Sequence, residues 1–326
     1  MLPRPRTTLT VRVVRAPLLF LFVLAAAGCS RPPAADTFTA EPLTSSFAAL
    51  RSPNGQRQVL LVRTGSRWHG HLDDTFAVTS RAVVADADGN SFLEVVHPVD
   101  PAEPPVEIAD WRHVRDLPVL IAEAWAAGDP ALRADGPSSL VSMLRVAGDA
   151  PSIAAVNAAL AAEFEAAVGL APPVGDTLED AGAIAARVAV EAAVRAVVGD
   201  ETGEVNPRAR MAVLQIPVLL NARFLAVEHQ VFEDHGGEDG GVGSSRFTLH
   251  DLETGGSPDL DALVNLDLLA RFGELTGSEE TPASWYPSRP GIVLAYRPVR
   301  RVVPWREVLP LLPEDSPLRA VAESVH

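Results

Sequence analysis

The stretch Met211–Gly255 restricts the fold of this chain more than any other. Met211–Leu219 and Arg223–Phe232 are extended, largely apolar runs split by the turn-prone Asn221. A third run, Arg246–Leu252, ends in the turn Asp251-Leu-Glu-Thr-Gly255. Apolar runs of this length between turn residues predict strands, and three in succession predict an antiparallel meander. The loop Glu233-Asp-His-Gly-Gly-Glu-Asp-Gly-Gly-Val-Gly243 joins the second and third runs and sits at one edge of that meander.

Two helices are expected before it. Asp149 with Pro151 in the first turn predicts a capped start, and Ile153, Val156, Leu160, Phe164 and Val168 recur at helical spacing as one buried stripe. Gly169 and Pro172-Pro173 end that helix. Thr177-Leu-Glu-Asp180 reads as a capping box opening a second helix, with Ile184, Val188 and Val198 inward and Gly199 at its end. Arg187, Glu191 and Arg195 recur every fourth residue and predict a solvated stripe.

The N-terminal part reads as strands. Gln58–Arg63 and Arg67–Asp73 form a predicted hairpin around Thr64-Gly-Ser66; Ala82–Ala85 and Ser91–Val96 form another. Trp111–Ala127 shows no clear period. Ser138–Val146 predicts a strand, Asp259–Phe272 a short helical connection ending at Gly273, and Gly291–Ala295 and Arg300–Val303 two late strands. Pro304 opens a final short helix through Leu309. The expected class is α+β: an antiparallel sheet packed on two main helices, with an additional β-rich N-terminal region.

The first residues carry an address. Arg4, Arg6, Arg12 and Arg15 precede the apolar run Ala16–Ala27, then Gly28-Cys29-Ser30. A basic segment, a short apolar segment and small residues at the cut predict a secretory signal over residues 1–28. The run is shorter than the ~20 residues a spanning helix needs. Cys29 is the one cysteine of the chain, and Leu24-Ala-Ala-Ala-Gly28-Cys29 resembles a lipobox. Cys29 is therefore the expected lipidation site, palmitate included, and enough acyl CH₂ groups give stable anchoring. Ser30 after it favours the outer membrane, facing the periplasm, by analogy with proteobacterial sorting. The expected organisation is signal 1–28, flexible tether 29–45, β-rich region 46–136 and α+β domain 137–326.

Charge and composition narrow the function. The formal net charge is −15; residues 1–28 hold four of the Arg and no acid, so their removal leaves −19. That field disfavours nucleic acid and attracts cationic partners. There is no Lys, which excludes a Walker A loop and Schiff-base chemistry. A lone cysteine excludes an intramolecular disulfide.

Order and short motifs over Ser138–Pro313 resemble one bacterial envelope family. They are a strand and helix through Pro151-Ser-Ile153 and Val156-Asn-Ala-Ala-Leu160, a second helix, a hairpin into Gly236-Gly237, Asp251-Leu-Glu-Thr-Gly255, and a final strand-Pro-Trp-helix. This looks like the domain of unknown function shared by RsiV-like anti-sigma factors and the non-catalytic region of PdaC-type deacetylases. The resemblance implies a non-enzymatic envelope domain, which in the anti-sigma relatives recognises lysozyme. The family loop reads Gly-Gly-Ala-His-Gly; here Asp239 stands where the family has histidine, and His235 is the alternative.

Candidate chemistry is sparse. His69, His71 and Asp73 alternate on one strand face, a metal-like spacing that reads better as a polar face. His229 shares a strand face with Leu225, Val227 and Val231 and reads as structural; His250 and Asp251 point to opposite faces. No catalytic residue, metal set or cofactor is expected. The candidate binding residues are Glu233, Asp234, His235, Glu238 and Asp239 of the acidic loop, with Trp285, Tyr286 and Trp305 as groove aromatics. The expected partners are the membrane, through the lipid, and a cationic protein or peptidoglycan ligand, with no nucleic acid. The alternatives are a metal-assisted envelope hydrolase using His235 and the acidic loop, or an architectural lipoprotein. Cys29→Ala should abolish palmitate labelling and release the protein from membranes in fractionation; a variant that still sediments with outer membrane shows another anchor.

Overall fold

The structure is a computed structural model that describes residues 38–325 except 74, 79–82, 86–90, 94, 99–105, 109, 129–137, 171–179, 199–208, 235–241, 279 and 297–299. The signal, Cys29 and the loop residues His235, Glu238 and Asp239 lie outside the described residues.

The strands before the helices are β1 (Thr39–Leu43), β2 (Ser45–Arg51), β3 (Gln58–Thr64), β4 (Arg67–Leu72), β5 (Thr75–Val78), β6 (Val83–Ala85), β7 (Ser91–Leu93), β8 (Val95–Pro98), β9 (Val106–Glu107), β10 (Arg112–His113), β11 (Leu120–Gly128) and β12 (Ser138–Val146). Helices α1 (Pro151–Ala167) and α2 (Ala181–Val198) follow, then the meander β13 (Arg210–Leu220), β14 (Phe224–Asp234) and β15 (Val242–Asp251). The C-terminal part holds α3 (Leu260–Leu263), α4 (Leu266–Leu275), β16 (Ser284–Pro287), β17 (Gly291–Ala295), β18 (Arg300–Pro304), α5 (Trp305–Val308) and α6 (Pro317–Ser324). Both expected N-terminal hairpins are present, as β3–β4 and β6–β7. Among the described residues no helix is long and apolar enough to cross a membrane.

A six-stranded sheet in the order β1-β11-β12-β13-β14-β15 carries the α+β architecture. Its pairs are antiparallel except β12–β13. Parallel pairing needs a long crossover connection, and the segment holding the two helices between β12 and β13 supplies it. Thr39–Leu43, expected as tether, forms the edge strand by pairing with β11. The undecided stretch 111–127 supplies β10 and most of β11. The sheet therefore draws strands from both sides of the expected boundary at residue 136.

Local chemistry explains the meander. Pro217 has no N–H to donate, and the β13–β14 register slips between Pro217 and Leu219. Asn221 makes the expected turn: its Oδ1 accepts from the Arg223 and Phe224 N–H groups at 2.9 and 2.7 Å. Asp251 builds the next one, its Oδ1 accepting from Glu253 and Thr254 N–H at 3.0 and 3.3 Å. Gly255 closes this turn at φ 78°, where a Cβ would sit 2.9 Å from Ser152 Cα in the first turn of α1.

Helix α1 buries Val156, Leu160, Phe164 and Val168 as the spacing predicted. Its N-cap is Ala150 rather than Asp149, with no side-chain cap bond. Pro151 at the first position has no N–H to satisfy, so the expected cap lies one residue too early. On α2, Arg187 departs from the solvated stripe and bonds the buried Glu165 of α1. The late connection breaks at Asn265, whose side chain caps α4 through Leu268 N–H at 2.9 Å, and α4 runs past Gly273 to Leu275.

Two helices and three sheets then share the core. Val141, Met143, Met211 and Val213 pack with Val188 and Ala192 of α2. Phe224, Ala226, Phe247 and Leu249 pack instead with the sheet β16-β17-β18 and the C-terminal helices. A seven-stranded sheet, β10-β2-β3-β4-β5-β8-β9, lays β3 and β4 against β13.

Candidate functional site

On β14 the side chains alternate, so Phe224, Ala226, Glu228, Gln230 and Phe232 share one face while Leu225, Val227, His229 and Val231 share the other. Glu228 is fully buried (0 %) between the sheets. Its Oε2 accepts from Nε2 of His71, itself 1 % exposed, at 2.6 Å. Arg300 of β18 brings Nη2 to 3.8 Å from Oε1, too far for a direct hydrogen bond, and donates from Nη1 to the Tyr286 hydroxyl at 2.8 Å. Tyr286 stacks on Phe247 with centroids 4.2 Å apart, and the His71 ring meets it edge-on at 5.8 Å. Five strands from three sheets meet here.

Burial alone would raise the Glu228 carboxyl. The hydrogen bond and charge of His71, then the charge of Arg300 and the Ser245 hydroxyl, outweigh it and hold the group down to about 2. Glu228 is therefore ionised at neutral pH, and an ionised carboxylate only accepts, so His71 Nε2 carries the proton. Oε1 accepts no hydrogen bond of ordinary length from a described residue. It lies at the wall of a cleft of about 360 Å³ that is also lined by Gln230, Phe232, Ser245, Tyr296 and Arg300.

The other face of β14 holds a different network. Gln215 Oε1 accepts from Leu144 N–H at 2.8 Å, and its Nε2 donates to Leu160 O at 2.6 Å. The same Nε2 lies 3.4 Å from His229 Nδ1; His229 Nε2 is 2.8 Å from Thr248 Oγ1; Thr248 Oγ1 is 2.9 Å from His250 Nε2; and His250 Nδ1 is 2.7 Å from Ser257 Oγ. Burial pushes His229 down to about 3, with help from His250 and Arg246, and pushes His250 down to about 4. Both are neutral at pH 7. His250 and Ser257 border a second cleft of about 560 Å³.

The structure separates the residues singled out in the sequence. Glu233 and Asp234 end β14, where Asp234 faces Arg210 and Glu233 faces Met211 in register; the glycine-rich segment after them lies outside the described residues. Tyr286 joins the Glu228 cluster. Trp285 is 5 % exposed and reaches the second cleft; Trp305 is 1 % exposed and donates from Nε1 to Ser288 O and Arg289 O at 3.1 Å, pinning a turn. The polar face of His69 and His71 is buried, and Asp73 turns to accept from Gln58 N–H at 2.9 Å. Among the described residues no three of His, Cys, Asp and Glu are grouped to hold a metal. Glu228, Arg300 and Gln215 escaped the sequence reading. The available signal was Glu228 itself, a charge on the strand face of Phe224 and Ala226.

No family model matches this sequence. No curated protein matches it either. Among solved structures, a DUF3298 family member from Bacteroides fragilis is similar over 65 % of this chain and 99 % of its own, at 13 % identity and TM-score 0.44. A DUF3298 family protein from Pseudomonas aeruginosa is similar over 59 % of this chain and 93 % of its own, at 11 % identity and TM-score 0.39. DUF3298 is a bacterial domain of unknown function. At these values the likeness carries neither fold nor function across.

Two outcomes follow from the buried groups. His71→Leu alone strands the Glu228 charge and should cost roughly 3–5 kcal/mol in urea unfolding, whereas His71→Leu with Glu228→Leu should recover most of it. A double variant as unstable as the single one would show that the pair itself holds the sheets together. His69 is held down to about 4 by burial and then by the charge of His71. Its neutral form thus gives full stability above pH 6.5, lost as pH falls toward 4, a swing on the order of 3 kcal/mol. His229 and His250 contribute losses in the same window, so His69→Leu should make the fall of the thermal midpoint shallower without abolishing it; an unchanged pH profile would refute the assignment.

Proposed function

We propose that this chain is a binding protein of the bacterial envelope, held to the outer membrane by a lipid on Cys29, which takes a cationic protein ligand without transforming it. The observation that supports this most is the state of Glu228 at the first cleft. A carboxyl held at about 2 is too weak a base and too strong an acid for proton transfer at neutral pH, but it is a fixed negative charge behind the cleft wall. Arg300 is engaged with Tyr286 and beyond bonding distance of Oε1, so the buried carboxylate keeps a negative charge that acts through the cleft wall on a cation in the cleft. Gln230 and Phe232 continue the same strand face toward Asp234, and the acidic loop follows. The net charge of −15 adds a long-range pull on cations. The family resemblance in the sequence points to the same class of partner.

The test titrates a basic muramidase and, separately, soluble peptidoglycan fragments against the Cys29→Ala protein. Saturable binding of the muramidase, weakened by Ser245→Trp, which fills the cleft, supports the reading. Saturable binding of the fragments alone reassigns the ligand class, and binding of neither counts against a binding role. Glu233, Asp234, Glu238 and Asp239 replaced together by Gln or Asn should slow muramidase association about tenfold at low salt and flatten its salt dependence. The thermal midpoint should stay nearly unchanged; a large loss would make the loop structural.

A further inference from the structure

The second cleft contains a serine 2.7 Å from a histidine, the spacing of a nucleophile and its base. The direction of the hydrogen bonds decides what the pair can do. The Gln215 amide cannot flip, because Leu144 N–H needs its oxygen and Leu160 C=O needs its nitrogen. Its nitrogen is therefore the group beside His229 Nδ1, which must accept. His229 then carries its proton on Nε2 and donates to Thr248 Oγ1. The Thr248 hydroxyl has one proton to give, and His250 Nε2 is its remaining hydrogen-bond partner among the described residues, so it donates there. His250 carries its proton on Nδ1 and donates to Ser257 Oγ. The reverse order would set an N–H of Gln215 against an N–H of His229.

The relay thus runs one way, from the backbone of β12 and α1 to Ser257. It opposes the direction that nucleophilic catalysis needs, in which histidine accepts the serine proton. Ser257 accepts from His250, so its own proton is left to point outward. Ser257 is exposed, at the cleft border.

The surroundings narrow what that proton meets. Leu249, Leu269 and Trp285 give apolar walls, while Asp259 and Asp261 stand at the same cleft. Glu163 is paired with Arg246 at 2.8 Å, so the local charge is acidic and an anionic ligand is opposed. We infer that this cleft, which adjoins the one beside Glu228 through Ser245, Phe247, Ala283 and Ser284, is a second binding site for a neutral amide on an apolar body, its carbonyl accepting from Ser257 and its N–H donating to Asp259 or Asp261.

The test uses the full chain in detergent micelles, labelled with ¹⁵N-histidine and ¹⁵N-tryptophan. Long-range ¹H–¹⁵N spectra at pH 7 should show His229 as the Nε2–H tautomer and His250 as the Nδ1–H tautomer; the opposite pair overturns the relay. N-acetyl-L-leucinamide should shift the His250 and Trp285 side-chain signals saturably. N-acetyl-L-leucine, its carboxylate analogue, should bind at least about tenfold more weakly, and Ser257→Ala should weaken the amide about tenfold while leaving the His229 tautomer unchanged. Equal affinity for the two probes, no saturable shift, or labelling of Ser257 by a fluorophosphonate overturns the proposal. The amide titration is read with no muramidase present, so its failure is distinguishable from failure of the binding reading at the first cleft.

Discussion

A carboxylate taken out of water between sheets must be compensated, and the arrangement of this domain answers to that requirement at Glu228. Three elements distant in sequence supply the compensation. β4 brings His71 to 2.6 Å, β18 brings Arg300 to 3.8 Å, and β16 sets Tyr286 between them. Such a group adds little net stability, because desolvation consumes most of the Coulomb gain. What it does is penalise every docking of the sheets in which the charge is left alone. The apolar packing of Phe224, Ala226 and Phe247 against β16–β18 tolerates small slides; the ion pair does not.

Glu228 and His229 are neighbours in sequence and belong to different networks. The pleat sends one toward the sheet–sheet core and the other toward the helices. On the first face an ionised acid is held by cationic and hydroxyl groups. On the second, neutral imidazoles are ordered by a glutamine whose orientation is set by two backbone groups. One strand therefore carries a fixed charge on one side and a fixed proton order on the other.

The elements were legible because their signals are local. The stripe of α1, the two hairpins, the Asn221 and Asp251 turns and the meander each rest on residues a few positions apart. The Asp149 cap failed because a proline one position on changes which residue must cap. The stretch 111–127 showed no period because its strand, β11, alternates only between buried and half-buried side chains. The Glu228 cluster could not be read, since its members at 71, 228, 286 and 300 meet only through tertiary packing. Gln215 sits in an apolar run and gave no sign that its side chain orders two histidines. Trp305, a candidate groove aromatic whose commoner reading is core packing, is a core residue whose indole pins a turn.

Both clefts are bordered by groups that keep one protonation state through neutral pH. Glu228 is ionised, and His229 and His250 are neutral. A general acid or base works best when its pKa lies near the working pH, because the proton must both arrive and leave. Here the surroundings push each group away from that point, the acid down by its partners and the imidazoles down by burial. In the proposed binding role the same displacement favours recognition: a fixed charge and a fixed donor would not rearrange when a ligand arrives, which lowers the reorganisation cost and opposes like groups to a mismatched partner.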